Sequence, residues 1–114
     1  LVFVHVTVPL TTVQGGLRGL VKRALGRVPA GVAENARREE YSDLVRQAYA
    51  GKEPVFDLAR LEATAPDGSV ASASDGAREV PSLAAAYTDD GGHLDPDAQL
   101  RLARELVPIL ASAR

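Results

Sequence analysis

The first eight residues limit the fold more than any other segment of this chain. Residues 1–8 are rich in β-branched side chains and are largely apolar at both odd and even positions. Because successive side chains of a strand point to opposite faces, such a run is typical of a strand buried on both faces. Pro9 ends it, since proline lacks the N–H that a strand ladder needs. We therefore expect a strand over residues 1–9 in a parallel sheet.

Helical and strand patterns alternate along the rest of the chain. Apolar residues recur at helical spacing over residues 17–28 and again over 30–50, where Gly51 follows as a C-terminal cap. In the second of these helices, Arg46 falls on the outward, charged side. The inward side is predicted to comprise Val32, Ala36, Tyr41, Leu44, Val45, Ala48 and Tyr49. A short strand over 54–58 and a helical turn over 59–63 come next.

The last third of the chain contains one ambiguous segment and one clear helix. Residues 64–86 are small and polar, which fits either a hairpin or a mobile loop. Asp95 and Pro96 supply an N-cap and a first-turn proline for a final helix, in which Pro108 should cause a kink or frayed last turns. Its apolar face is predicted to comprise Leu100, Ala103, Leu106, Val107 and Leu110. This element order predicts an α/β fold with parallel strands 1–9 and 54–58 flanked by helices.

Length and composition exclude several classes of protein. The 114 residues suffice for a single domain, 1–114, and the net charge of −2 argues against nucleic acid and membrane partners. The absence of cysteine excludes disulfides and thiolate metal sites. No signal peptide is recognisable, which favours a soluble and, if the chain is intact, cytoplasmic protein. Because the chain opens on Leu1 inside a strand, we expect it to be processed or excised from a longer protein.

A candidate site lies in the stretch Asp89-Asp90-Gly91-Gly92-His93, directly before the final helix. An aspartate can orient an imidazole and stabilise its charge, and imidazole is the side chain best suited to proton transfer near neutral pH. The two glycines allow the loop to turn both groups toward one point. The only other histidine, His5, is expected to be a buried, hydrogen-bonded strand residue.

The Asp90-x-x-His93 block, with its flanking Thr88, Gly91-Gly92 and Leu94, resembles the last characteristic block of the SGNH (GDSL-like) hydrolases. Segments 3–10, 35–39 and 53–58, together with Tyr41, look like later strands and helices of that family. The resemblance covers the C-terminal half of an SGNH domain, whose nucleophilic serine and oxyanion blocks have no counterpart here. It implies a partial doubly wound, flavodoxin-like sheet, with His93 as general base and Asp90 as its orienting carboxylate.

The resemblance leaves the nucleophile open. One hypothesis is a hydrolase of carboxylic or phosphoric esters in which His93 activates water, directly or with a zinc or manganese ion held by Asp89, Asp90 and His93 and aided by Asp95 or Asp97. A second histidine loop from a homodimer, formed through the first strand, would complete such a metal site and the sheet. The alternative is a non-catalytic interaction module that needs the missing N-terminal half for activity.

Overall fold

A computed structural model describes residues 1–13 and 15–113 as a mixed α/β structure. The described residues form the helices α1 (Gly16–Ala24), α2 (Val32–Tyr49), α3 (Leu58–Ala63) and α4 (Pro96–Ser112), with a 3-10 turn at Ala85–Tyr87. The strands are β1 (His5–Val6), β2 (Val55–Phe56), β3 (Ser72–Ser74) and β4 (Glu79–Pro81). None of the described helices is long and apolar enough to cross a membrane.

The predicted parallel pairing is confirmed, but both strands are much shorter than predicted. His5 pairs with Val55 and Val6 with Phe56, so the doubly wound sheet expected over 1–9 and 54–58 is, in the described residues, a two-residue ladder. Pro54 precedes the second strand and Asp57 caps α3 immediately after it, which leaves only two residues to pair. The expected burial on both faces is also wrong, because β1 has one strand neighbour: Phe3 is 62% and Val6 47% exposed.

Side chains from the helices form hydrogen bonds to the backbone of the segment after β1. In a larger sheet, the backbone of neighbouring strands would form these bonds. The Val8 amide donates to Ser42 Oγ at 3.1 Å, and the Leu10 amide donates to Glu62 Oε2 at 2.7 Å. Asn35 accepts from the Thr11 amide at 3.1 Å and donates to the Thr11 carbonyl at 2.7 Å. These bonds satisfy buried and part-buried peptide groups outside any ladder, and each buried group left unsatisfied would destabilise the fold.

This arrangement explains why the predicted inward face of α2 is only partly correct. Val32 and Val45 are buried as predicted, but Asn35 and Ser42 are buried with them, and Tyr41 is 58% and Leu44 62% exposed. The helix turns these two polar side chains inward because the β1 extension offers backbone donors and acceptors rather than an apolar surface. The apolar pattern alone cannot reveal that demand.

The core consists of two small clusters. One joins Leu10 to α3, α4 and the 3-10 turn through Ala59, Ala63, Leu83, Ala84, Tyr87 and Ala98, and the other joins Val32 to the hairpin through Ala73 and Val80. Residues 64–86, which the sequence left open, contain the antiparallel β3–β4 hairpin, in which Ala73 pairs with Val80.

The final helix begins as predicted. Asp95 caps it through the Ala98 amide at 2.8 Å, and Pro96 occupies its first turn. The helix continues through Pro108 to Ser112, so its last turns are not frayed, and the other predicted outcome, a kink at Pro108, stays a prediction. Its predicted face is wrong as well, because α4 carries apolar residues on several sides. Ala98 and Leu102 are buried, Ala98 in the cluster that contains Tyr87 and Leu10, whereas Leu100, Val107 and Leu110 are exposed.

Candidate active site: the Asp90–His93 loop

The loop between the 3-10 turn and α4 is organised by its own polar side chains. Asp90 Oδ1 accepts hydrogen bonds from the backbone amides of Gly92 and His93, both at 2.8 Å. Thr88 Oγ1 accepts from the Gly91 amide at 3.0 Å, and Gly91 has φ +85°, which favours glycine. The spacing Asp-Gly-Gly-His therefore encodes a tight turn around one carboxylate.

The same turn brings Asp90 and His93 together as the sequence predicts. Asp90 Oδ2 lies 2.8 Å from His93 Nδ1, while the His93 side chain remains 88% exposed. Because a carboxylate at Nδ1 favours a proton on that nitrogen, it leaves Nε2 able to accept a proton from a reactant. The amides of Gly92 and His93, with the imidazole, hold the pKa of Asp90 well below its usual range. Asp90 is therefore ionised at neutral pH, as an orienting carboxylate must be.

Thr12 fixes this loop to the chain segment that follows β1. Both its backbone amide and its hydroxyl donate to the Gly91 carbonyl, at 2.9 and 3.0 Å. The loop is thus tied to the chain that continues from the carboxyl end of β1. Behind the loop, the Asp95 amide donates to the Tyr87 carbonyl at 2.8 Å and links it to the core.

The structure does not assemble the predicted metal ligands within the described part of the chain. Nowhere in residues 1–13 and 15–113 do three or more His, Cys, Asp or Glu residues form a group that could hold a metal ion. Both Asp90 oxygens already bond within the loop, and Asp95 is engaged as the α4 cap. A metal at this loop would need ligands from outside these residues.

The serine hydroxyls that form hydrogen bonds do so away from His93. Ser42 binds the Val8 amide, Ser69 binds Asp67 and Ser72 binds Glu79, while the hydrogen bonds of the described residues give the His93 ring one partner, Asp90. In this part of the chain the His93 ring therefore has no protein nucleophile bonded to it, and a hydroxyl of the same loop, that of Thr88, donates to Asp90 Oδ1 at 3.3 Å.

His5 takes the structural part predicted for it, although it is half-buried rather than buried. Its Nε2 lies 2.7 Å from Glu53 Oε2, and its ring stacks on Tyr49 with centroids 3.5 Å apart and planes 6° from parallel. The contact links β1 to the end of α2 and the start of β2.

A second group of charged side chains, centred on Arg46, was not predicted, since Arg46 was expected on the solvated side of α2. Arg46 binds Asp57 through Nε and Nη2 at 2.9 and 2.8 Å, and its Nη1 contacts Glu39 and Asp43 at 2.7 and 2.8 Å. Hydrogen bonding to Asp57 raises the pKa of Arg46 despite partial burial. The group borders an open cavity of about 780 Å³ between α2, α3 and the hairpin. The group sets three carboxylates against one guanidinium, and Glu39 Oε2 is buried with no hydrogen-bond partner among the described residues. Only the spacing of Glu39, Asp43 and Arg46 on one helix side could have indicated it.

Comparison of the chain with models of known protein families, with curated proteins and with solved structures gives no significant match.

Proposed function

We propose that this protein is a hydrolase of ester-type bonds, with His93 as general base and Asp90 as the carboxylate that orients it. The observation that carries the proposal is the 2.8 Å contact between Asp90 Oδ2 and His93 Nδ1, made on a loop that leaves the rest of the imidazole open to solvent. The similarity of Asp90-x-x-His93 and its flanks to the SGNH hydrolases supports the same roles.

Water is the nucleophile we assign when the chain acts alone. His93 Nε2 takes a proton from a water molecule as the water oxygen forms a bond to the carbonyl carbon or phosphorus of the ester. The bond to the leaving oxygen then breaks, and the imidazolium returns its proton to that oxygen. Asp90 stabilises the imidazolium between these two transfers.

Groups that stabilise the developing negative charge must come from elsewhere. The amides of Gly92 and His93, which belong to the same loop as the ring, are engaged with Asp90 Oδ1. A second chain is the source we propose, joined through the free edge of β1, which would extend the two-residue ladder into a larger SGNH-type sheet. The exposed Phe3 and Val6 support this homodimer, since covering apolar side chains of this size stabilises by about 1.5 to 3 kcal/mol each when burial is complete.

The test is hydrolysis of p-nitrophenyl esters and p-nitrophenyl phosphoesters by the purified chain, with and without a chelator. His93→Ala should lower the rate by about 100-fold or more, because general base catalysis contributes that much. Asp90→Asn should lower it too, whereas the control Glu105→Gln changes an exposed carboxylate on α4 that belongs to neither the dyad nor the candidate metal ligands. Equal activity of His93→Ala and the wild type would show that the site is assigned wrongly.

The chelator arm tests metal assistance. Activity that is lost with chelator and restored by zinc or manganese would support a metal ion held between two Asp90–His93 loops. Activity that is unchanged by chelator would support direct activation of water by His93.

The second candidate is a non-catalytic interaction module that needs the N-terminal half of an SGNH domain. The lack of a hydroxyl bonded to the His93 ring among the described residues favours it. No turnover by the isolated chain in either arm, followed by turnover after addition of an N-terminal SGNH half that carries the serine, would establish complementation. No turnover in either arm excludes the hydrolase proposal for the isolated chain.

A further inference from the structure

The helix α1 packs in an inverted orientation. Among the residues of α1 whose burial is described, Gly19 is buried and Lys22 is half-buried, so the side that contains them faces the protein. Its apolar residues point outward instead: Leu17 is 78%, Leu20 61% and Val21 49% exposed. Solvent-facing helices normally show the opposite arrangement, with charges outside and apolar residues inside.

The two sides of α1 are sharply separated in chemistry. At 100° per residue, Leu17, Leu20, Val21 and Ala24 fall within one arc of the helix, and the cationic residues fall on the remaining circumference. The exposed apolar surface continues past the helix in Leu25, at 67%, and Val28, at 44%.

The charged residues of this segment all have the same sign. Residues 18–27 contain four of the 13 basic residues of the chain, Arg18, Lys22, Arg23 and Arg27, and none of the 15 acidic ones. A mildly acidic protein therefore carries a local cationic segment that its net charge of −2 conceals. The net charge of the chain therefore does not exclude an anionic membrane as a partner of this segment.

We propose that α1 binds the surface of an anionic lipid bilayer and lies in the plane of the interface. Leu17, Leu20 and Val21 would enter the boundary between headgroups and acyl chains, and Arg18 and Arg23 would contact the lipid phosphates. Separation of leucines from arginines and lysines along a helix is the property that interfacial helices use for this purpose. The inference goes beyond hydrolysis and does not depend on it.

The packing of α1 favours a lipid surface over a groove in another protein. A groove surrounds a helix and contacts its flanks, but the Gly19 and Lys22 side of α1 already lies against its own protein. A flat surface needs only the outward face. The cations at the edge of that face complement an anionic surface, and their aliphatic stems can lie along it while the charged groups stay in water.

The absence of tryptophan from the chain gives a direct test. Leu20→Trp places the only indole on the outward face, and the matched control Leu44→Trp places it on α2, at almost the same exposure, 61% against 62%. With vesicles of phosphatidylcholine and phosphatidylserine, Leu20→Trp emission should shift to shorter wavelength and be quenched by brominated lipid, while Leu44→Trp should not change. Identical behaviour of the two variants would overturn the proposal.

Co-sedimentation of the wild-type chain with the same vesicles tests the electrostatic part. Arg18→Gln should weaken binding about fivefold and the double variant with Arg23→Gln about 25-fold, whereas Arg37→Gln on α2 should have no effect. Binding should also fall as salt is raised, because salt screens exposed charges. Equal binding to pure phosphatidylcholine vesicles would overturn the proposal. Dimerisation without lipid that Leu20→Ser abolishes would also overturn it and would identify a second copy of the chain as the partner of α1.

Discussion

Replacing Gly91 by alanine should loosen the histidine loop at its anchor. The new Cβ would lie 2.7 Å from Thr12 Oγ1, closer than real Cβ atoms approach an oxygen, on a backbone with φ +85°. That hydroxyl also donates to the Gly91 carbonyl at 3.0 Å. The substitution therefore combines a backbone penalty with a collision against a hydrogen-bonding group.

The two contributions can be given separate magnitudes. Positive φ costs an alanine about 1 to 2 kcal/mol relative to glycine. To relieve the collision, Thr12 must turn its hydroxyl away and lose its bond to the Gly91 carbonyl, which costs about 1 kcal/mol more. Gly91→Ala should thus lower the free energy of unfolding by about 2 to 3 kcal/mol, and Thr12→Ala, which removes only the bond, by about 1 kcal/mol.

A double-mutant cycle in urea separates these effects. With Thr12→Ala already present, Gly91→Ala meets no hydroxyl, so the double variant should be about 1 kcal/mol more stable than the two single losses predict. Gly51→Ala is the matched control, because Gly51 has φ +78° with no atom within 4 Å of the added Cβ, and it should show no coupling to Thr12. Strictly additive losses for Gly91 and Thr12 would refute this account of the anchor.

Three further substitutions test other parts of the fold. Gly31→Ala should lower the melting temperature by at least about 4 °C more than Gly51→Ala, since its Cβ would meet a backbone oxygen at 2.6 Å; equal losses in thermal scans would contradict this. Burial of Asp57 raises its pKa, but hydrogen bonds and charge from Arg46 outweigh it and lower the pKa below 3.8. Stability from the ion pair is thus present above pH 3.8 and lost as the pH falls below it. Asp57→Asn keeps a capping oxygen for α3 and should lower the free energy of unfolding by about 1 kcal/mol at pH 7, after allowance for solvent screening. It should also make the loss of stability at acidic pH smaller. If urea titrations show the same loss at acidic pH for the variant and the wild type, the ion pair is not its cause. Burial raises the pKa of Glu62 above 4.5, so the free energy of unfolding falls as the pH rises through that raised pKa. Glu62→Gln should remove this pH dependence. If the variant keeps it in urea titrations, another group is its cause.

Features set by neighbouring residues could be predicted from the sequence. Asp95 and Pro96 define the start of α4 because a cap and a first-turn proline act within one turn of helix. The Asp90–His93 contact was predictable for the same reason, since three residues and two glycines are enough to close the turn.

Features that depend on distant partners could not be predicted. Arg46 was assigned to solvent because Asp57, its main partner, belongs to another element. The outward leucines of α1 have the spacing of a core helix, and nothing in their periodicity tells which side will meet the protein. The lengths of β1 and β2 were mispredicted for the same reason, because a residue extends a strand only if another strand lies opposite it.

The side chains that bind the segment after β1 also determine when that segment can fold. Val8 meets Ser42 across 34 residues of sequence, and Leu10 meets Glu62 across 52. A chain must close such loops, at a cost in entropy, before these bonds can stabilise it, and topologies rich in distant contacts fold slowly. We therefore expect the segment to remain hydrated until α2 and α3 have assembled, so that ordering of the strand and of the histidine loop anchored to it is a late kinetic event.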